Sequence, residues 1–447
     1  MKKIVMQLFL GIVLSISDAI ARTPCDMPPL PLEPRLENRN FPSLYYGWGQ
    51  KSQWAPYDLI FCCPRFNLSL VRGNGDYQFV PAPRNELTPI KMRDRYIADN
   101  PNKIFLIAIN AVWGHIEEYG KDSPFWLRDV DGNIEMQWGA GLHDLNNPDF
   151  QEVIFQKAQA IDRCGLYDGI IFDVWNEWHA ERRGVLQGQE DILKGIRNRV
   201  RDNFLILVNT NDRKAPVSAP YINGLLMETG FPGGRQPTGA RSIENELDQY
   251  EDTLRWAETS LREPVLNAPG GFSVVGEDPY SPANIQWMRA LTTLSLTFTD
   301  GYFMYHDSEI GHKNHLWYDF WDADLGRPVG EKGQLYQETD GIYIREFTNG
   351  WAVYNHSGEA HIIALPEKVR SQQSGLRNAN HVLLDLDGDI FLKIRIPGDL
   401  NGDQVVNILD LVIVAQSISD DSLTGDVNDD GVVNVFDLVF IANQMNE

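Results

Sequence analysis

The sequence predicts an α/β protein built on a (β/α)8 barrel, followed by a small antiparallel β-domain and a small α-helical tail. Three observations carry this. Between residues 43 and 307, short apolar runs alternate with helical patterns. From about 340 the pattern changes to strand-like alternation, and from 399 an acidic motif is duplicated. At 447 residues the chain is too long for one ordinary domain and can bury a large core.

Eight apolar runs read as barrel strands. They are "SLYYGWG" (43–49), "DLIFCCP" (58–64), "KIFLIAINAVW" (103–113), "GIIFDVW" (169–175), "FLILVNT" (204–210), "GLLMETG" (224–230), "PVLNAPG" (264–270) and "GYFMYHD" (301–307). Near-continuous apolar runs mean strands buried on both faces, as in a parallel sheet. The helices between them carry start signals. Asn147-Pro148 and Ser281-Pro282 each place a capping side chain before a proline suited to the first helical turn. Leu247, Tyr250, Leu254, Ala257 and Leu261 fall on one helical stripe. Only about eight residues separate the first two runs, short for a crossover helix. A truncated first helix accommodates this; an open doubly wound sheet is the alternative.

Residues 340–396 read as the antiparallel domain, packed against a barrel over 43–339. Asn349-Gly350 is a hairpin turn signal, and "HVLLDLDGDIFLKIRI" reads as a second hairpin turning at Asp387-Gly388. Residues 22–42, rich in proline, read as an exposed lead-in. Before them, Lys2 and Lys3, an apolar run from Ile4 to Ile16 and Ala19-Ile20-Ala21 form a signal-peptide pattern, so 1–21 is expected to be removed and the protein secreted. The run is too short to span a bilayer. The net charge of −23 argues against nucleic-acid and anionic-membrane partners. Cys25, Cys62, Cys63 and Cys164 are too few for a disulfide framework; they allow one bridge without saying which.

The tail, 397–447, repeats "DLNGDQVVNILDL" (399–411) as "DVNDDGVVNVFDL" (426–438). Each copy puts oxygen side chains at loop positions 1, 3, 5, 9 and 12 and a backbone carbonyl at 7. In the first these are Asp399, Asn401, Asp403, Val405, Asn407 and Asp410. In the second they are Asp426, Asn428, Asp430, Val432, Asn434 and Asp437. This is EF-hand-like spacing for two Ca²⁺ ions, since a hard cation prefers oxygen ligands. Gln404 departs from it, standing where the turn wants Gly. With its apolar helical runs, the pair resembles a type I dockerin. That resemblance implies a cohesin-type partner, contacted through Ile408-Leu409 and Val435-Phe436.

In a barrel the site lies at the C-terminal ends of the strands. Asp173 and Glu177 follow strand four, Glu228 strand six, and His306 and Asp307 strand eight. Asn209, Asn211 and Asn267 also fall at strand ends. Trp48, Trp113, Trp175, Trp178 and Trp317 lie near the same rim. Paired carboxylates in an aromatic cleft suit glycoside hydrolysis: one protonates the leaving oxygen, the other attacks the anomeric carbon or activates water. Tryptophan faces suit sugar rings. The competing reading makes these acids helix caps, or partners of Arg182 and Arg183.

"YDGIIFDVWNE", "LLMETG", "FMYHD", "LWYDFWDADLGRPVG" and "REFTNGWAVYN" resemble the hypothetical TIM-barrel glycoside hydrolases over about 43–365. The resemblance implies a sugar-cleaving barrel with a trailing β-domain. It puts the nucleophile or base on Asp173 and the general acid on Glu228, with Glu177 a third candidate. "WNE" is also similar to clans whose acid/base Glu follows strand four and whose nucleophile follows strand seven, but the seventh run has no acid. No cofactor is expected for catalysis. Two other functions compete: a non-catalytic glycan-binding or scaffold barrel, and a metal-dependent hydrolase drawing on His306, His312 and His315. The sequence leaves open the sugar, the linkage and the stereochemistry.

Overall fold

The computed structural model describes residues 25–48, 56–61, 68–72, 77–81, 89–228, 243–274, 276–306, 315–394, 396–401, 405–420, 423–428 and 430–445. The signal-peptide pattern, Cys62, Cys63, His312 and Asp307 lie outside them, as does Asp403.

Eight strands form one parallel sheet in chain order. They are β1 (Tyr45–Tyr46), β2 (Leu59–Ile60), β3 (Ile104–Ile109), β4 (Gly169–Phe172), β5 (Leu205–Asn209), β6 (Gly224–Glu228), β7 (Ala268–Phe272) and β8 (Met304–His306). The last strand returns to the first. Leu44 bridges Phe303 in parallel, Tyr45 N donates to Phe303 O at 3.1 Å, and Phe303 N donates to Ser43 O at 2.9 Å. A doubly wound sheet would reverse its order and keep two edges; this one does neither, so it is a barrel. Every residue of β4 and β5 is buried, as their unbroken apolar sequences require.

The seventh strand lies further along the chain than expected. Because β7 ends at Phe272, Asn267 precedes it and lies at the opposite end of the barrel from the mouth. There its side chain accepts from Leu225 N at 3.0 Å and donates to Glu258 at 2.7 Å. The first acid after β7 is then Glu277, an exposed residue that accepts from the Ser281 hydroxyl at 2.8 Å.

The crossover helices are α1 (Pro89–Asp99), α2 (Pro148–Cys164), α3 (Glu177–Arg182), α4 (Leu186–Arg197), α5 (Ile243–Ser260) and α6 (Pro282–Phe298). The caps form as the sequence signals: Asn147 Oδ1 accepts from Asp149 N at 3.0 Å, and Ser281 Oγ from Asn284 N at 3.3 Å. The predicted stripe of α5, Leu247 to Leu261, is buried. No described residue between β1 and β2 is helical, and β5 passes to β6 through only a 3₁₀ turn, Ala219–Tyr221.

The described part of the proline-rich lead-in, residues 25–42, alternates exposed residues with buried anchors at Cys25, Leu32, Arg35, Arg39 and Phe41. Cys25 forms a disulfide with Cys164 at the end of α2. Arg35 is buried against Asp168, which also accepts from Phe105 N at 2.8 Å. A buried ion pair with its remaining lone pairs satisfied avoids the cost of an unpaired charge.

The second sheet is antiparallel: β9 (Ile342–Phe347), β10 (Gly350–Asn355), β11 (His361–Ser371), β12 (Arg377–Leu383) and β13 (Asp387–Lys393), in the order β9-β10-β13-β11-β12. The first predicted hairpin forms, one residue early: Phe347 pairs with Gly350, leaving Thr348-Asn349 as the turn. The second does not form, because β13 inserts between β10 and β11 while β12 pairs only with β11. Asp387 is not a turn residue. It is fully buried, held by the Arg289 guanidinium of α6 at 2.9 and 2.7 Å. That bidentate pair ties the sheet to the barrel.

The tail contributes α7 (Ile408–Ser419) and α8 (Val435–Gln444), which pack together. Among the described residues no helix is long and apolar enough to cross a membrane.

Candidate active site

The apolar run of β4 carries Asp173 to the mouth, and an abrupt turn holds it there. Val174 has φ 57°, a region that a β-branched side chain rarely enters. The turn lets Val174 N donate to Asp173 Oδ1 at 2.9 Å and Trp175 N to Asn209 O at 2.7 Å. Such an outlier persists only where its surroundings enforce it, and outliers gather at functional sites.

Asn209, the last residue of β5, joins the neighbouring strands. Its Nδ2 donates to Asp173 Oδ1 at 2.9 Å and to Glu228 Oε2 at 3.0 Å. Its Oδ1 accepts from Asn211 N at 3.1 Å, which fixes which end of the amide faces the acids. The ends of β4, β5 and β6 thus bring two carboxylates onto one side-chain nitrogen.

Beneath them lies an aromatic floor the sequence reading missed. Tyr45 is fully buried, and its hydroxyl hydrogen-bonds His306 Nε2 at 3.1 Å. Burial, and after it the charge of Glu228, pushes this phenol far above its usual range, so it stays protonated. Tyr250 is raised likewise, chiefly by burial, and donates to Gly270 O at 3.3 Å. A Cβ at Gly270 would meet the Tyr45 hydroxyl at 2.3 Å. Only glycine fits this position, which explains the small-residue sequence of β7. A tyrosine in a two-residue strand gives no sequence signal of its own.

The other predicted residues separate. Glu177 is buried and accepts from Val217 N at 3.2 Å and Ser218 N at 2.7 Å. Both oxygens stitch the loop after β5 to α3, so it serves structure rather than joining the pair. Trp175 is fully buried, stacked on Phe172 with its Nε1 on Ser218 Oγ at 3.1 Å, and has no face for a sugar. Trp48, Trp113 and Trp317 are half-buried at the margin of the core. Trp178 is exposed. His306 lies behind the site in the floor, 1% exposed. A cavity beside the mouth, lined by His143, His179, Arg183 and Gln189 among others, measures about 10 Å³, room for one water and no sugar ring.

The tail loops are held differently. Asp410 and Asp437 are fully buried at the third position of α7 and α8. Asp410 accepts from Leu400 N at 2.7 Å and Asn407 N at 2.8 Å; Asp437 accepts from Val427 N at 3.0 Å and Asn434 N at 2.8 Å. In the second loop Asp426 accepts from Gly431 N at 2.8 Å, and Gly431, at φ 83°, supplies the sharp turn. The donor set of Asp399, Asn401, Val405, Asn407, Asp426, Asn428, Asp430, Val432 and Asn434 is all oxygen, which suits a hard cation. Among the described residues no three His, Cys, Asp or Glu are gathered closely enough to hold a metal.

Residues 96–351, which include both carboxylates and Asn209, match the model of hypothetical glycosyl hydrolase family 15. The chain belongs to this family. Residues 397–446 match the type I dockerin domain, a calcium-binding module whose partner is a cohesin. No curated protein matches the chain. Several solved structures are similar. The glycoside hydrolase domain of PelA from Pseudomonas aeruginosa is 11% identical over 60% of this chain and 95% of its own (TM-score 0.39). The α-amylase of Geobacillus thermoleovorans complexed with acarbose is 12% identical over 81% and 99% (TM-score 0.42). The isomalto-dextranase of Arthrobacter globiformis T6 complexed with panose is 12% identical over 84% and 77% (TM-score 0.45). At these TM-scores the likenesses carry no argument. Family 15 membership therefore rests on the sequence match, and the barrel on its own strand order.

Proposed function

We propose that this family member is a secreted, retaining glycoside hydrolase, with Asp173 as nucleophile and Glu228 as general acid/base. The carrying observation is the Asn209 amide shared by the two acids. An amide nitrogen directs its two hydrogens about 120° apart, so two oxygens that each took one would stand about 5 Å apart. That separation fits a retaining pair, at about 5–5.5 Å, and leaves too little room for the water of an inverting one. Glu228 would protonate the departing glycosidic oxygen while Asp173 attacks the anomeric carbon. Glu228 would then take a proton from the water that releases the sugar. Asn209 touches both acids and would hold their spacing. The tryptophan that supports sugar contact is Trp178, with Trp48, Trp113 and Trp317 lending partial faces.

The N-terminal pattern of residues 1–21 supports export. The duplicated loops support two Ca²⁺ ions, one in each. Ile408, Leu409, Val435 and Phe436 are 65, 55, 60 and 66% exposed, and so are available to a cohesin-type module.

The test is the configuration of the first sugar released from a cleaved glycan by the full chain, read by proton NMR. Retention is expected. Inversion, or retention unchanged in rate in Asp173→Asn, would refute the assignment.

A further inference from the structure

The loops after β4 and β5 meet at a lip beside the carboxylates, and two arginines there converge on one exposed tryptophan. Trp178, 46% exposed, stands five residues beyond Asp173. The Arg182 guanidinium lies 4.7 Å from its ring centroid and that of Arg213 lies 5.4 Å away. Arg213 follows Asn209 by four residues. The two loops are fastened together, so these side chains project from a fixed base. Glu177 binds the backbone of Val217 and Ser218, and Asn176 Nδ2 donates to Thr210 O at 3.3 Å. His179 packs edge-on to Trp178 at 4.9 Å. Its proton affinity is lowered by burial first, and then by Arg183, Arg182 and Arg213, so the three guanidiniums act on one point.

This clustering runs against the rest of the molecule. The chain carries a net charge of −23, yet among the described residues no carboxylate forms an ion pair with Arg182 or Arg213. Two guanidiniums on one indole repel each other, and among the described residues no ion pair offsets that repulsion. An anionic ligand would. Arginine pairs its planar fork with carboxylate or sulfate oxygens while the indole face takes a sugar ring.

We propose that Trp178, Arg182 and Arg213 form a subsite for an acidic sugar unit, bearing a uronate carboxylate or a sulfate ester, so that the substrate is an anionic glycan. The proposal takes the glycosidase reading as its setting, but binding tests it apart from turnover.

The experiment is affinity electrophoresis of the full chain in gels containing polygalacturonate, dextran sulfate or neutral dextran, at low and high salt. Arg182→Ala/Arg213→Ala and Trp178→Ala are run beside the unmodified chain. The expected result is retardation by at least one of the two polyanions and not by dextran, lost at high salt and weakened about tenfold or more in the double variant. Which polyanion retards distinguishes carboxylate from sulfate. Equal retardation by dextran, no retardation by either polyanion, or retardation unaltered in the double variant would each overturn the proposal. Arginine-dependent binding without cleavage of any glycan would keep the subsite and remove the glycosidase reading. Cleavage of neutral glycans at unchanged rate in the double variant would do the reverse.

Discussion

At the barrel mouth, Asp173 and Glu228 share the two hydrogens of one side-chain amide. In the tail, Asp410 and Asp437 are bound by backbone N–H groups of their own loops. The difference sets what each region depends on. The tail holds its acids by local geometry, so each loop-and-helix half carries its whole site within about a dozen residues. The mouth holds its acids by barrel closure, since three strands must align before one amide can reach both. Damage to the tail should therefore leave the mouth working, while a one-atom change at the mouth should be felt in the chemistry at once.

The largest expected effect is at the pair itself. Asp173→Asn and Glu228→Gln are each expected to lower kcat by about 10³-fold or more, with Tm unchanged within a few degrees in calorimetry. Next comes Asn209→Ala, which keeps both acids and removes what spaces them. Its kcat should fall about 10²-fold, the scale of a misplaced catalytic group, with KM little altered. A loss confined to KM would show that Asn209 binds substrate rather than setting the pair.

Calcium removal sharpens the comparison from the other side. In scanning calorimetry of the full chain, chelation should lower the melting of the tail by tens of degrees, because metal binding there is folding energy. The barrel transition and sugar release should not move. Gly270→Ala tests the floor: its Cβ would strike the Tyr45 hydroxyl, so a loss of about 1–3 kcal/mol is expected in denaturant unfolding.

The smallest effect concerns an acid held by neither device. Glu251 of α5 is buried against Tyr343, Tyr354, Arg255 and His356, whose Nδ1 is 3.2 Å away, and burial pushes its carboxyl up to about 8. The folded state therefore keeps a proton that the unfolded state loses above the ordinary carboxylate range. Stability contributed by this group falls as pH rises toward 8, and the cost is complete above it. His356, lowered by burial, has the opposite slope, and its change is complete once pH has passed its ordinary value of 6.5. Glu251→Gln, which stays neutral, should match the unmodified chain in Tm at pH 5 and exceed it by a few degrees at pH 9.

The barrel was legible because its strands are buried on both faces and so are written as unbroken apolar runs. The capped helices were legible because Asn147 and Ser281 precede prolines. The β7 position was not. Its register follows from the Tyr45 contact at Gly270, a packing constraint between strands more than two hundred residues apart. The false hairpin at Asp387-Gly388 has a similar origin: a turn signal was overridden by a buried arginine from another element. In the site, Asp173, Asn209 and Glu228 could be read from strand ends, but not the hydrogen bonds that join them. Trp175 and Glu177 share the same segment, yet the strained turn at Val174 sends them into the core and onto a neighbouring loop.

The central claim is that Asp173 and Glu228, spaced by Asn209, cleave glycosidic bonds. Reducing-sugar release by the full chain on a panel of neutral and acidic polysaccharides, beside Asp173→Asn and Glu228→Gln, tests it most directly. The account predicts release by the unmodified chain, abolished in both variants while each keeps its melting transition. Release that survives either substitution at full rate would contradict it.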